Sequence, residues 1–288
     1  MMETKELGLL TELSPTETHY LIEGQETHYK RLFQLTMMDL HLKQVLLIEN
    51  RTEADGTYGR GREVVYVSLG ERFQEYKARA HEHEFIDVFE EETDIEYLLI
   101  HYIKAVKKKI GAVNIFVKNR ILKNDEMVDL FTTSGWRDFL GKPRKLTDEG
   151  QREQKRLKQI LDSLNEHLPD IIEKRPEQAR KILDAIGGNV FLLDAIDHRL
   201  LKLLSMGYFD ADGAAPKKQG SVADAVGWED FAFSDHHFDL FIDGDDGIFD
   251  AGFDGGFDAS DGGSGCGSGC GSGCGGCGGC GGCGGCGG

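Results

Sequence analysis

Cysteine is missing from residues 1–261 of this 288-residue chain, and all seven cysteines fall in the stretch from Gly262 to Gly288, where every residue is Gly, Ser or Cys. The folded part therefore holds no disulfide framework, no zinc ribbon and no thiol nucleophile. Long apolar runs are missing as well. The opening Met1-Met2-Glu3-Thr4-Lys5-Glu6 is polar, and no stretch reaches the roughly 20 apolar residues that span a bilayer. The expectation is a cytoplasmic protein with no membrane span. Basic charge is scarce at one end: of the net −17, the residues from Met206 onward contribute 14 acids against 2 bases, and the preceding residues 36 against 31. So acidic a chain is not attracted to DNA as a whole, although a local basic face is still open to it.

What is present reads as mainly α with short β hairpins. Ser14-Pro15 is a cap and first-turn pair, and Gly24 is a C-cap. Tyr29, Leu32, Phe33, Thr36, Met37 and Leu40 then share one helical face. Val45-Leu46-Leu47-Ile48 is β-prone, the stretch from Asn50 to Gly61 reads as a loop, and Glu63 to Val67 reads as a returning strand. Helix, helix, strand, loop, strand is the order of a winged-helix unit.

A second pass of similar order follows. Asp94 to Ile110 is a striped helix (Ile95, Leu98, Leu99, Tyr102, Ile103, Val106), and Val113 to Leu122 and Asp125 to Phe131 read as two shorter ones. Thr147, with Asp148 and Glu149 behind it, opens a long helix that buries Leu157, Ile160, Leu161, Leu164 and Leu168 and is expected to end near Pro169. Pro176 starts another helix (Ala179, Ile182, Leu183, Ile186) that Gly187-Gly188 stops, and a last helix is expected from Asn189 to Leu204. The expected organisation is a winged-helix-like unit at 1–75 and a second unit with C-terminal helices at 76–205. An acidic Phe/Asp/Gly-rich disordered linker at 206–261 and a Gly/Ser/Cys low-complexity tail at 262–288 complete it.

Candidate chemistry sits mostly in the tail. Cys266, Cys270 and Cys274 are four apart, and Cys274, Cys277, Cys280, Cys283 and Cys286 form overlapping C-x-x-C pairs. Two thiolates so spaced reach one soft ion, so zinc or copper(I) are the ions such a tail would take, and without supporting side chains the binding would be unselective. The bland alternative is compositional drift with reduced thiols. A third reading is modification, because Gly-Cys and Gly-Ser-Gly-Cys repeats resemble in composition the cores of azole-containing peptide precursors.

In the folded part, Lys104, Lys107, Lys108, Lys109, Lys118, Arg120 and Lys123 occur between His101 and Asn124 without an acid among them. They are either phosphate contacts near a recognition helix or a solvated helix face. His81-Glu82-His83-Glu84 lacks the spacing of H-E-x-x-H and is expected on a polar surface. Gly56, Gly59 and Gly61 lack the lysine of a phosphate loop and fit a wing. His236-His237 lies in the acidic segment.

The openings Leu13-Ser14-Pro15-Thr16-Glu17 and Leu146-Thr147-Asp148-Glu149-Gly150, with the Gly/Cys tail, resemble a bacterial family that joins a helical domain to a Gly/Cys-rich C-terminus. Its members are commonly described as membrane proteins of unknown function. The resemblance implies a helical domain, but no reaction and no catalytic residues, and this sequence lacks the transmembrane helices of those members. The Leu-Thr-x-x-Gly stretch also looks like the last helix of winged-helix regulators.

The leading expectation is a non-enzymatic scaffold that docks a protein partner and presents tail thiols for metal binding, crosslinking or modification. The alternatives are a DNA-binding winged-helix regulator with a metal- or redox-responsive tail, and a precursor of a modified Gly/Cys peptide. An enzyme would need Asp, Glu and His brought together by folding alone.

Overall fold

The computed structural model describes residues 4–54, 61–90, 93–132 and 144–194. The chain divides into two units, Met1–Phe257 and Asp258–Gly288, and every described residue belongs to the first. The structure is mainly helical, with a three-stranded antiparallel sheet.

Helix α1 (Pro15–Glu23) starts on a complete capping box. The Ser14 hydroxyl accepts the Glu17 N–H at 3.3 Å, and the Glu17 carboxylate accepts the Ser14 N–H at 2.8 Å. Gly24, at φ 61°, closes it by bonding the Tyr20 carbonyl. Helix α2 (Tyr29–Leu42) carries the expected face, but ten of its fourteen residues are buried, well beyond one stripe. It ends in a Schellman turn: Gln44 N–H bonds His41 O at 3.0 Å, and Val45 N–H bonds Leu40 O at 2.9 Å. Gln44 takes the left-handed position, at φ 58°, that glycine usually fills.

Strand β1 (Leu46–Ala54) is longer than the β-prone run predicts. Its polar half, Asn50 to Ala54, read as a loop, instead pairs with β2 (Gly61–Leu69), in register from Leu46↔Leu69 to Ala54↔Gly61. Contacts between strands hold it there: Arg51, steadied by Glu49 on its own strand, reaches across to Glu96 beside β3, and Tyr66 bonds Glu53. Tyr97–Leu98 forms β3 on the other edge of β2, so the order is β1-β2-β3. The expected helix from Asp94 therefore begins only at Leu99.

The short α3 (His83–Ile86) precedes α4 (Leu99–Ile110), which buries Leu99, Tyr102, Ile103 and Val106. The single helix expected over Val113 to Leu122 is two pieces, α5 (Val113–Phe116) and a π-turn (Val117–Ile121) in which Leu122 N–H bonds the Val117 carbonyl five residues back. The helix expected to reach Phe131 stops earlier: α6 is Asp125–Val128, because Phe131 bridges to Leu146. Helix α7 (Asp148–Lys174) is capped by Thr147, whose hydroxyl accepts the Gly150 N–H at 3.1 Å. Pro169 does not end it. The apolar face continues past the proline, from buried Leu168 to Ile171 and Ile172 against the core, and offsets the missing hydrogen bond. Helix α8 (Pro176–Ile186) follows, and Gly187 at φ 49° ends it. Gly187–Leu192 is a 3₁₀ stretch where a regular last helix was expected, and residues beyond 194 lie outside the described ones.

One contiguous apolar core runs from Leu7 to Leu193 and takes residues from every helix of the described part. Asn189 ties its two ends together, donating to the Leu10 and Leu13 carbonyls at 2.8 Å each.

Candidate functional site

Folding brings together ionisable groups that lie far apart in sequence, in two adjoining clusters under α1 and α2. Lys43 centres the first. Its Nζ donates to Asp39 Oδ2 (2.7 Å), Tyr76 Oη (3.0 Å) and Glu82 Oε1 (3.2 Å), and Tyr76 donates to Glu82 at 2.8 Å. Glu82 also accepts the Arg79 N–H at 2.6 Å. Asp39 and Glu82 are buried, and Gly188 packs so closely on Asp39 that a Cβ there would fall 2.1 Å from Oδ1.

Burial raises the pKa of Asp39, against the pull of Lys43. Burial alone would raise Glu82 too, but the attraction of Lys43, with hydrogen bonds from the Arg79 N–H and the Tyr76 hydroxyl, carries it below the usual carboxylate range. Glu82 thus holds the negative charge more firmly than Asp39. Burial works against charge on Lys43, yet Asp39 and Glu82 together raise its pKa far above the ordinary lysine value.

Glu17 centres the second cluster. Besides the Ser14 N–H, it accepts Arg79 Nη1 at 2.7 Å and Asn124 Nδ2 at 2.9 Å. His81 stands beside it, with Nδ1 3.6 Å from Glu17 Oε1 and Nε2 3.2 Å from Ser14 Oγ. Ser14 Oγ and His81 Nε2 share one hydrogen bond, and Nδ1 stands beyond hydrogen-bond distance of Glu17. Burial lowers the His81 pKa and keeps the ring neutral.

Serine, histidine and glutamate in this order have the outline of a nucleophilic triad. The surroundings differ from one. Ser14, Glu17 and His81 are 4 %, 1 % and 1 % exposed, and the serine oxygen is engaged as a helix cap. Ser14 and Glu17 are bonded to each other as a helix cap and His81 joins them through Ser14 alone, which is the chemistry of a structural polar network.

His81 and Glu82 were expected on a polar surface and are instead at the centre of the two clusters. The short chain from Tyr76 to Glu82 folds inward because Arg79 is pulled across to Glu17 and the Glu12 carbonyl. Two signals for these clusters stand in the sequence: the capping-box spacing of Ser14 and Glu17, and the i,i+4 pair Asp39 and Lys43. Nothing local marks the meeting of Lys43 with Glu82.

Among the described residues, one cleft, lined by Lys43, Arg72, Glu75 and Tyr76, opens onto the edge of the first cluster and encloses about 220 Å³. Another is apolar and tight, with about 10 Å³ of room, between α2, α3, α4 and α5. Its walls are Tyr29, Leu32, Phe33, Phe85, Ile110, Val113 and Phe116, with Lys107 on the rim. Ile115, 55 % exposed, stands on the α5 side, the most exposed large apolar side chain among the described residues.

The seven basic residues all lie on α4, the π-turn and the adjoining loops. Lys104, Lys108, Lys109, Arg120 and Lys123 are exposed, and Lys107 and Lys118 half-buried. Arg120 pairs with Glu84 at 2.7 Å and Lys109 with Glu90 at 3.6 Å. The face is solvated, and it borders the apolar cleft. The helix that precedes the β1–β2 hairpin, α2, is sunk in the core instead of standing free as a reading helix.

The seven tail cysteines, His236-His237 and the wing glycines Gly56 and Gly59 lie outside the described residues. Among the described residues no group of three His, Cys, Asp or Glu side chains is disposed to hold a metal ion, and no helix is long and apolar enough to cross a membrane. Comparison with protein-family models, with curated proteins and with solved structures returns no match to this chain.

Proposed function

We propose that the folded part is a non-enzymatic docking module that binds a protein partner on the α4–α5 face, and that the Gly/Ser/Cys tail presents its thiols to metal, crosslinking or modification. One observation carries the reading: the polar chemistry of the interior is spent on itself, whereas the apolar cleft, Ile115 and the basic residues share one surface. An apolar centre with a polar, charged rim is the anatomy of a protein interface. In this reading the units are winged-helix-like, with β1–β2 as the wing of the first and the Phe131–Leu146 bridge as the base of the second. The protein works in the cytoplasm, where thiols stay reduced, as a relative of the bacterial Gly/Cys-tailed family.

The test is mass spectrometry of the full chain purified from its own host. Cys266 to Cys286 carrying zinc or copper(I), a mixed disulfide or a cyclised-residue mass deficit supports the reading, and the mass deficit would point to the peptide-precursor form of it. An unmodified, metal-free tail whose deletion changes nothing contradicts it.

The run of seven cations favours a second reading, DNA binding. Its measure is affinity for mixed duplex DNA as salt is varied. A regulator would show a salt slope that falls when Lys107, Lys108 and Lys109 are replaced, and no retention at low salt excludes it.

A further inference from the structure

The turn that follows β2 carries two charges that no side chain answers. Arg72 caps and Glu75 ends the 3₁₀ turn Phe73–Glu75, and at that spacing the two side chains leave the same side of the turn. Both are exposed, and among the described residues neither is engaged by the other or by a neighbouring side chain. They stand on the walls of the cleft of about 220 Å³ that Lys43 and Tyr76 complete. We propose that this cleft binds a free α-amino acid with an uncharged side chain, its carboxylate on Arg72, its ammonium on Glu75 and its side chain along the Tyr76 ring. The site goes beyond the docking reading and leaves the α4–α5 face to a protein partner.

Size sets the class first. One water needs about 10–15 Å³ of such space, so the cleft holds a molecule of roughly fifteen non-hydrogen atoms or fewer. Charge narrows the choice. Lys43 has three N–H donors and gives all three away, to Asp39, Tyr76 and Glu82. The cleft therefore offers one uncommitted cation, Arg72, and one uncommitted anion, Glu75. A phosphate or a dicarboxylate would meet repulsion from Glu75, and a diamine from Arg72, whereas a zwitterion answers both. The two ends of the ligand use both charges, so its side chain carries none. Spacing narrows it again: an α-amino acid holds its two charged groups on one carbon, as the neighbouring side chains require, and the ends of a peptide lie at least one residue farther apart.

The walls are held in place before any ligand arrives. Arg72 N–H bonds the Gln44 carbonyl at 3.1 Å, Gly70 N–H the Val45 carbonyl at 2.8 Å, and Glu75 N–H the Arg72 carbonyl at 3.3 Å. Gly70 sits so close to the end of α2 that a Cβ there would fall 2.1 Å from the Gln44 carbonyl oxygen. The Tyr76 hydroxyl is fixed between Lys43 and Glu82, which leaves its ring as a standing apolar wall. Binding then orders little of the protein, and a small ligand loses less of its affinity to that cost.

The experiment is titration of the full chain, followed by saturation-transfer NMR, with each standard L-amino acid that has an uncharged side chain. The tightest is compared with its own N-acetyl and amide derivatives, each of which lacks one charge. The account expects a Kd on the order of 1 mM for that amino acid, and binding about tenfold weaker for each derivative. Arg72→Gln and Glu75→Gln, both outside the core, should each weaken it about tenfold as well, with urea midpoints unchanged. No binding from any of the amino acids at about 20 mM overturns the proposal. Equal affinity for a derivative that lacks one charge overturns it too, and so does binding that either variant keeps in full.

Discussion

Lys43 is the residue on which the interior most depends. It faces Asp39 and Glu82 inside the protein, and removing it strands two carboxylates without a counter-charge. Lys43→Met should therefore cost about 3–5 kcal/mol at neutral pH, the range for breaking a buried pair. Asp39→Asn should cost much less than Glu82→Gln. Burial already pushes Asp39 toward its neutral form, whereas Glu82 carries the charge and also receives the Tyr76 hydroxyl and the Arg79 amide. Urea midpoints of the three variants check the ranking, and an Asp39→Asn protein weaker than Glu82→Gln would contradict it. Gln44 invites the opposite change. At φ 58° a side chain is strained, so Gln44→Gly should raise stability by about 0.5–1 kcal/mol, seen as a higher urea midpoint at unchanged slope.

At the scale of the element, the long helix α7 shows two local conflicts. Gly150 lies in its first turn, where a Cβ would stand 2.2 Å from the Leu130 carbonyl, the same oxygen that accepts the Thr147 N–H. Gly150→Ala should cost about 1–3 kcal/mol by overpacking, although alanine is the better helix former. That gives the Gly of the Leu-Thr-x-x-Gly stretch a physical reason: it lets the helix start against the Phe131–Leu146 bridge. Pro169 is the second conflict. Its ring removes one bond from the ladder, and Pro169→Ala should stabilise by about 1–3 kcal/mol. Thermal unfolding of both variants separates these effects.

Much of this was legible in the residues. The Ser14–Glu17 box, the Thr147 cap, the stripe on α4 and the Pro176 start are local patterns, and local physics placed them. The errors arose where distant partners override local preference: β1 runs through polar Asn50 to Ala54 because β2 and Glu96 hold it, and α7 runs through Pro169 because its apolar face goes on. The candidate site was legible only in part. The basic run from Lys104 to Lys123 is plain in the sequence, but the apolar cleft beside it needs α2, α3, α4 and α5 in place. The buried meeting of Lys43 with Glu82 needs a chain turn that no motif announces.

At the scale of the whole molecule, the interior histidines set the response to acid. Burial lowers His81 and His41, and holds His19 at about 4 with help from Arg31, against 6.5 in the unfolded chain. Below pH 6.5 the unfolded state therefore binds protons that the folded state refuses, so stability falls as pH drops from 6.5 toward 4 and is flat above it. Glu82, with its depressed pKa, extends the loss to lower pH, while Asp39, with its raised pKa, opposes it. Urea midpoints at pH 7.5, 6.5, 5.5 and 4.5 should fall step by step below 6.5. A midpoint that rises on acidification would mean that these histidines gain protons on folding.

The central claim is that the body does its work at one surface and not in its interior. A photo-reactive residue placed at Ile115, beside the apolar cleft, and in a second protein at Glu75, beside the Lys43 cleft, tests it in the host cell. The account predicts strong crosslinks to a second protein from position 115 and little from position 75. Strong crosslinks from 75 with none from 115 would contradict it.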